Sequence, residues 1–218
     1  AAHFSEDFED AAAYGWTVGD RRVDWAKLIA NKDKEINRLN HVYRKLLEDS
    51  GVTIIDSRAE ISDPHTVVVD GKKITAKYIL VAVGGWPIVP KLPGSEHAIT
   101  SNEAFYLPTL PKKVIIVGGG YIGAEFAGIF HGLGVEVTQL YWGPLFLRGF
   151  DDDCRKTLAE EMKKKGVDLR FNADISKIEK MGASLRATLN GDVNIDADQI
   201  LYATGRVPNT ASLGLENT

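Results

Sequence analysis

Three glycines in the segment "VIIVGGGYIGAEF" have the spacing G-x-G-x-x-G, at Gly118, Gly120 and Gly123. An apolar run precedes them and a helical pattern follows them, which is the context that this motif needs. The first glycine permits a tight turn, the second lets a pyrophosphate approach the backbone, and the third lets helix and strand pack closely. Amide N–H groups at the helix start then face the phosphates. The spacing therefore predicts a dinucleotide site, with a glycine-rich turn that binds nothing as the alternative.

The stretch "LYWGPLFLRGFD", residues 140–151, lies where such a site distinguishes NAD from NADP. An acid at the strand end would favour NAD, and arginines would favour NADP. Tyr141 and Trp142 occupy this position, and Arg148 follows in a loop that could fold back. A guanidinium suits a 2′-phosphate because it donates in a fork and stays charged. We therefore expect NADPH. The alternatives are that Trp142 covers the strand end or stacks on adenine, and that Arg148 is solvated surface.

The elements that must position these residues form a βαβ unit that begins at Lys113. The pattern predicts strands at "VIIVG" and "VEVTQLY", with "GGYIGAEFAGIFHGLG" as the crossover helix between them. A second helix is predicted for "DDDCRKTLAEEMKKKG", because its acids come first and its lysines last. Asp151 is the expected N-cap of that helix. A third strand, "VDLRFN", and a β-rich tail complete the unit.

The amino-terminal part of the chain predicts two helices followed by strands. The helices cover about 1–13 and 24–50, and Asp24 is a plausible N-cap of the second. "VTIID", "TVVV" and "YILVAVG" have the composition of strands, and Asp70-Gly71 is a hairpin signal. Five prolines then indicate a linker over 86–112, since proline is not expected inside regular elements.

Composition excludes several classes of function. The 218 residues are 44% hydrophobic with a net charge of −4, which suits a globular protein and gives no sign of a nucleic-acid partner. No apolar run approaches the roughly 18 residues of a membrane helix, and no secretory signal is visible. The single cysteine, Cys154, rules out a disulfide or a dithiol within the chain. No metal site is expected.

The stretches "GGGYIGAEFAGIFHGLG", "LRGFD", "VAVGG" and "YATGRVPN" together resemble the flavin-dependent pyridine nucleotide-disulfide oxidoreductases. The resemblance covers essentially the whole chain. Within the family, "LRGFD" is most similar to the glutathione- and trypanothione-reducing members. The resemblance implies an α/β fold: an FAD/NAD(P)-binding Rossmann-like domain in three layers, with a parallel sheet plus a β-meander, and part of a second similar domain.

The resemblance also implies a division of the chain and a function. The expected parts are the end of an FAD-binding domain (1–85), the linker (86–112), an NAD(P)-binding domain (113–207) and a return segment (208–218). The chain would be a segment of an NADPH-using, FAD-dependent reductase of glutathione disulfide. A trypanothione, dihydrolipoamide or mercuric reductase is the alternative, as is a nucleotide-binding module without catalysis.

Several residues gain roles from the resemblance. Tyr121 would cover the nicotinamide site, and Glu125 would lie near the nicotinamide carboxamide, although both could be ordinary surface residues. Trp142 and Arg148 would border the 2′ position of the adenosine. The remaining nicotinamide-nucleotide contacts would be Gly118, Gly119, Gly120, Ile122, Gly205 and Arg206.

Two further residues are matched through the resemblance alone. Ala59 would contact the flavin adenine, and Tyr43 would help to hold glutathione disulfide. Tyr43 could equally be a core residue of its helix, and Ala59 an ordinary strand residue. No catalytic residue is assigned, because the family's paired cysteines would lie upstream of Ala1 and Cys154 has no partner.

Two departures bear on these expectations. NADP-dependent members usually carry arginine where Trp142 stands, so discrimination against NADH should be reduced. Val83 replaces the threonine usual on the flavin side. We expect the 218 residues alone to bind nucleotide without reducing disulfides. The parent is expected to be a homodimer in the cytoplasm, with an organelle as the alternative location and no membrane or nucleic-acid partner.

Overall fold

The computed structural model describes all 218 residues, which form two compact units. One unit consists of Ala1–Ile29 and Pro87–Gly205, and the other of Ala30–Trp86 and Arg206–Thr218. The helices are α1 (Ala2–Asp10), α2 (Trp25–Asp49), α3 (Ser101–Ala104), α4 (Tyr121–Gly132) and α5 (Asp152–Lys165). The strands are β1 (Ala59–Asp63), β2 (Thr66–Val69), β3 (Lys72–Thr75), β4 (Gly85–Pro87), β5 (Lys113–Val117), β6 (Glu136–Tyr141), β7 (Asp168–Phe171), β8 (Ile175–Met181), β9 (Ser184–Leu189), β10 (Asn194–Ala197), β11 (Gln199–Tyr202) and β12 (Arg206–Pro208).

A four-stranded parallel sheet forms the centre of the first unit, in the order β11-β5-β6-β7. Helix α4 connects β5 to β6, and α5 leads from β6 to β7. The carboxyl ends of β5, β6 and β11 therefore lie along one edge of the sheet. Strand β6 lies on one side of β5 and strand β11 on the other, so the strand order reverses at β5. In open α/β sheets ligands bind at such a switch point.

Two hydrophobic cores cover the two faces of this sheet, because the side chains of each strand alternate between them. Val114 and Ile116 of β5 pack with α4 and α5, whereas Ile115 and Val117 pack with the antiparallel sheet β10-β9-β8. The result is three layers: helices, parallel sheet and β-meander. This confirms the predicted fold class of the unit.

The ends of α5 follow the predicted capping pattern. Asp151 Oδ1 accepts hydrogen bonds from the backbone N–H groups of Asp153 (3.0 Å) and Cys154 (3.1 Å). Gly166 ends the helix in the left-handed conformation, with φ of 102°. Acids in the first turn and three lysines in the last complement the helix dipole.

Residues of the proline-rich stretch contribute to the core of the first unit. Thr100 and Glu103 form a capping box that starts α3. Ala104 and Leu107 are buried, and Ile99 forms a parallel bridge with Leu201 of β11. The domain boundaries drawn from the sequence remain a prediction.

The second unit contains the antiparallel sheet β1-β2-β3. Asp70 and Gly71, with φ of 48° and 75°, form the two-residue turn between β2 and β3, so the predicted hairpin is confirmed. The helix predicted over 24–50 is also confirmed, and Asp24 Oδ1 accepts a hydrogen bond from the N–H of Lys27.

Two strand predictions in the second unit are wrong. Residues 52–56, "VTIID", and residues 78–84, "YILVAVG", form no strand. Leu80, inside the second segment, is 90% exposed. A strand is stabilised by a ladder to a neighbouring strand and by burial of its side chains, and no segment of the chain pairs with either stretch. Strand propensity alone does not supply those partners.

Candidate functional site

The glycine turn joins β5 to α4 at the carboxyl edge of the parallel sheet. Gly118 has φ of 140°, which L side chains rarely adopt. Its N–H donates to the carbonyl of Leu140 (2.9 Å), and a Cβ here would lie 2.3 Å from the carbonyl oxygen of Ala203. The tight turn therefore depends on a residue without a side chain at this position.

The amino terminus of α4 is open to a ligand. Gly120 is its N-cap and offers no side-chain acceptor, so the N–H groups of the first turn lack a capping partner. A Cβ on Gly120 would meet nothing within 4 Å, in contrast to the crowded Gly118. Free N–H groups and the positive end of a helix dipole make an anion site. The backbone here fits a pyrophosphate group, as a dinucleotide carries.

Gln139 of β6 supports the turn from below, and sequence reasoning missed it. Its Nε2 donates to the carbonyl of Gly118 at 2.9 Å, and the side chain is buried. Its Oε1 is buried with no hydrogen-bond partner. A Cβ on Gly123 would lie 2.7 Å from the Gly118 oxygen, so α4 approaches the turn closely. A polar residue inside the apolar strand "VEVTQLY" is the sequence signal for such a contact.

The loop after β6 folds back onto the glycine turn. The N–H of Leu147 donates to the carbonyl of Gly119 at 2.5 Å. Trp142 is 61% exposed, and the Arg148 guanidinium carbon lies 6.0 Å from the centroid of its ring. The structure thus brings together the two residues predicted to border the 2′ position. Between Leu140 and Phe150 the chain has no acidic residue that could accept a ribose 2′-hydroxyl.

Arg155 holds this loop from helix α5, and sequence reasoning missed this residue as well. Its Nε donates to the carbonyl of Phe146 and its Nη2 to that of Leu145, both at 2.8 Å. Its Nη1 donates to Asp152 at 2.6 Å. From the sequence alone, an arginine in a charged helix is expected to be solvated, so no signal identified it.

The other predicted residues of the first unit lie in helix α4 and after strand β11. Tyr121 starts α4 and is 57% exposed, and Glu125 is exposed one turn later. Ile122 is half-buried against the helix-side core. Gly205 lies just after the end of β11. Ala203, between β11 and Gly205, donates its N–H to the carbonyl of Val117 on β5. Tyr121, Ile122 and Glu125 thus follow the glycine turn within α4, and Gly205 follows the strand that pairs with β5.

Three predicted residues belong to the second unit. Arg206 donates through Nη2 to the backbone carbonyl of Gly85. Ala59 is the half-buried first residue of β1, and Tyr43 is an exposed residue of α2. Ala59 is the only residue of this chain that the resemblance assigns to the flavin.

The Asp151 carboxyl and the Tyr202 hydroxyl of the first unit both have shifted pKa values. Hydrogen bonds from the backbone N–H groups of Cys154 and Asp153 lower the pKa of the Asp151 carboxyl. Burial raises the pKa of the Tyr202 hydroxyl, which has no hydrogen-bond partner. Asp151 caps α5 and the Tyr202 hydroxyl is buried without a partner, so neither is assigned a proton-transfer role.

The parallel sheet, the uncapped helix start and the glycine turn define a nucleotide-binding α/β protein. The family model for pyridine nucleotide-disulphide oxidoreductases matches residues 2–218. The chain belongs to this family, whose members use FAD and NADPH.

Similar proteins place the chain more narrowly. It is 48% identical to a glutathione reductase from a Nostoc species, over 99% of this chain and 48% of that protein. It is 36% identical to a trypanothione reductase from Leishmania donovani, over 99% of this chain and 47% of that protein. Among solved structures, the HOCl-induced flavoprotein disulfide reductase RclA from Escherichia coli has a TM-score of 0.83 and 29% identity, with 100% of this chain and 48% of that one covered. The chain thus spans about half the length of these proteins.

No helix of the structure combines the length and apolar character needed to cross a membrane. No group of three or more His, Cys, Asp or Glu residues is arranged to hold a metal ion.

Proposed function

We propose that this chain is the NADPH-binding part of an FAD-dependent reductase of glutathione disulfide. The observation that carries the proposal is the uncapped start of α4 together with an arginine in the loop that folds back onto the glycine turn. Arg148 lies over Trp142 at the end of β6, where no acid is present. Its guanidinium is free to donate to a 2′-phosphate, whereas a ribose 2′-hydroxyl finds no carboxylate there.

The residues divide the binding of NADPH among them. The α4 N–H groups at Tyr121 and Ile122 would receive the pyrophosphate, and Gly120 leaves room for its approach. Arg148 would hold the 2′-phosphate, and Trp142 would offer an aromatic face beside it. Tyr121 and Glu125 would border the nicotinamide, together with Gly205. When bound, NADPH supplies a hydride for the flavin.

The second unit would carry the remaining contacts. Arg206 would contribute to the nicotinamide half, Ala59 would contact the adenine of FAD, and Tyr43 would contact glutathione disulfide. The proposed organisation is an FAD-domain segment (1–85), a connecting stretch (86–112), the NADPH domain (113–207) and a return segment (208–218). We also propose that the whole protein is a cytoplasmic homodimer.

Glutathione disulfide is favoured over trypanothione disulfide as the substrate. Identity to the glutathione reductase is 48%, compared with 36% to the trypanothione reductase, over nearly the same share of this chain. The 218 residues hold one cysteine, so a dithiol that accepts electrons from flavin cannot form within them. The chain alone is therefore proposed to bind NADPH without turning over a disulfide.

The test is a steady-state assay of the full-length protein that contains this chain. We expect NADPH-dependent reduction of glutathione disulfide, with lower kcat/KM for trypanothione disulfide and none for lipoamide. Arg148→Met should raise KM for NADPH about tenfold or more, because a charge-assisted hydrogen bond contributes about 1.5–3 kcal/mol. Lys156→Met, which removes an exposed positive charge from α5, is the matched control. Lipoamide turnover with NADH and none with glutathione disulfide would overturn the proposal.

A further inference from the structure

Arg155 connects helix α5 to the loop after β6 through hydrogen bonds. Its side chain is only 16% exposed, and its guanidinium makes three hydrogen bonds. Two of them go to consecutive backbone carbonyls, those of Leu145 and Phe146, at 2.8 Å each. The third goes to Asp152. The planar fork of an arginine matches two neighbouring acceptors in a way that an ammonium group does not.

The same loop is tied to the glycine turn on its other side. The Phe146 side chain is 1% exposed, and Leu147 is buried with φ of 55°. The N–H of Leu147 donates to the Gly119 carbonyl. A positive φ is unfavourable for leucine, so this conformation persists only where its surroundings hold it. Arg155 supplies two of those restraints immediately before the strained residue.

Arg148 follows the strained residue directly. The backbone geometry at Leu147 therefore determines the direction in which the Arg148 side chain leaves the loop. In this structure it lies beside the Trp142 ring, 6.0 Å from the centroid. With Trp142 in place of a second cation, the 2′-phosphate has one arginine in this loop to meet it, so the position of that arginine matters more.

We propose that Arg155 is a positioning residue that sets the preference for a 2′-phosphorylated nucleotide, by fixing the Leu145–Leu147 backbone that aims Arg148. The inference rests on the proposed function, because it requires that Arg148 meets the 2′-phosphate. Arg155 is not itself proposed to bind the nucleotide. Its guanidinium is engaged by the loop carbonyls and by Asp152, so it acts only through the loop.

The experiment compares two probes that differ by the 2′-phosphate, 2′,5′-ADP and 5′-AMP, by calorimetry on the full-length protein. We expect Arg155→Met to weaken the affinity for 2′,5′-ADP about tenfold, which corresponds to the loss of one charged hydrogen bond. The affinity for 5′-AMP should fall less than about twofold. Arg155→Lys keeps the charge without the fork and should cause the same selective loss, at about threefold. Lys156→Met, one residue along α5, should change neither affinity.

A double-mutant cycle separates positioning from a general structural role. In an Arg148→Met background, adding Arg155→Met should weaken 2′,5′-ADP no further. The inference would be overturned if Arg155→Met weakened the affinities for both probes equally. It would also be overturned if Arg155→Met had its full effect in the Arg148→Met background. An unchanged ratio of the affinities for 2′,5′-ADP and 5′-AMP in both Arg155 variants would overturn it too. If Arg148→Met itself leaves the affinity for 2′,5′-ADP unchanged, the NADPH assignment fails, and the inference fails with it.

Discussion

The buried amide of Gln139 donates a 2.9 Å hydrogen bond to the carbonyl of Gly118, so a polar side chain of β6 contacts the glycine turn from within the core. The other amide atom, Oε1, is buried with no partner. Gln139 therefore both supports the turn and carries an unsatisfied acceptor. This relationship predicts how substitutions of Gln139 affect the stability of the fold.

Gln139→Glu should destabilise the fold by about 3–5 kcal/mol at pH 7, because it places an unpaired carboxylate against the Gly118 carbonyl. Burial should raise the folded-state pKa of the introduced carboxyl above its unfolded value of about 4.3. The folded state then binds more protons, so stability is unaffected below pH of about 4 and falls as pH rises toward the folded pKa. Urea unfolding at several pH values measures this.

Gln139→Met is the control for that experiment. It removes the donor and the unpaired acceptor together at similar volume, so the expected cost is about 1 kcal/mol and independent of pH. A pH-independent loss in Gln139→Glu would show that the carboxyl is solvated, in contradiction to the buried position of this side chain.

Gly118→Ala should abolish nucleotide binding and destabilise the fold by about 3 kcal/mol or more, since it combines strain with overpacking. The Cβ would lie 2.3 Å from the Ala203 oxygen, at a φ of 140°. Gly128→Ala is the matched substitution within α4, because its Cβ would meet nothing within 4 Å. That variant should gain about 0.5–1 kcal/mol from helix propensity. Thermal unfolding with and without NADPH compares the two, and equal stability would contradict the crowding at Gly118.

Trp142→Arg should increase the preference for NADPH over NADH about tenfold, because it adds a second charge-assisted donor near the 2′-phosphate. Trp142→Phe retains an aromatic ring without adding charge and should change the ratio less than about twofold. The ratio of kcat/KM for the two nucleotides is the measurement. If both variants shift it equally, loss of the indole rather than gain of the guanidinium is responsible.

Acid should weaken the start of α5 through Asp151. Its pKa lies below the ordinary 3.8, mainly because the N–H of Cys154, and next that of Asp153, donate to the carboxylate. The unfolded state therefore binds more protons in this range, so the stabilisation is complete above 3.8 and is lost as pH falls through the lower folded value.

Thermal melting of Asp151→Asn and Asp151→Ala between neutral and acid pH tests this titration. Asparagine still caps but does not titrate, so the wild type should exceed Asp151→Asn in melting temperature at pH 7 and approach it in acid. Asp151→Ala should be the least stable throughout. Asp153→Asn removes a nearby charge but leaves the Asp151 cap intact. Its melting temperature should depend on pH in the acid range as that of the wild type does. A constant difference between wild type and Asp151→Asn at all pH values would contradict the prediction.

Local patterns were sufficient wherever the interactions are local. The G-x-G-x-x-G spacing, the acid-first and lysine-last order of α5, its Asp151 cap and the Asp70-Gly71 turn all act within a few residues. They were therefore readable from the sequence, and the family followed from the same motifs. Residues 52–56 and 78–84 show the limit of such patterns, because a strand needs a neighbouring strand that propensity does not provide.

The amino-acid sequence by itself determined the class of this protein: a Rossmann-like nucleotide-binding fold with no acid at the strand end to select NAD and a basic residue in the loop that follows. Only the tertiary structure decided how that residue is held. The contacts of Gln139 with Gly118, and of Arg155 with Leu145 and Phe146, join side chains to backbone carbonyls of other elements. Every residue has a backbone carbonyl, so nothing in the sequence marks which ones will be met, and only the packing of α5 and β6 brings these partners within hydrogen-bonding distance.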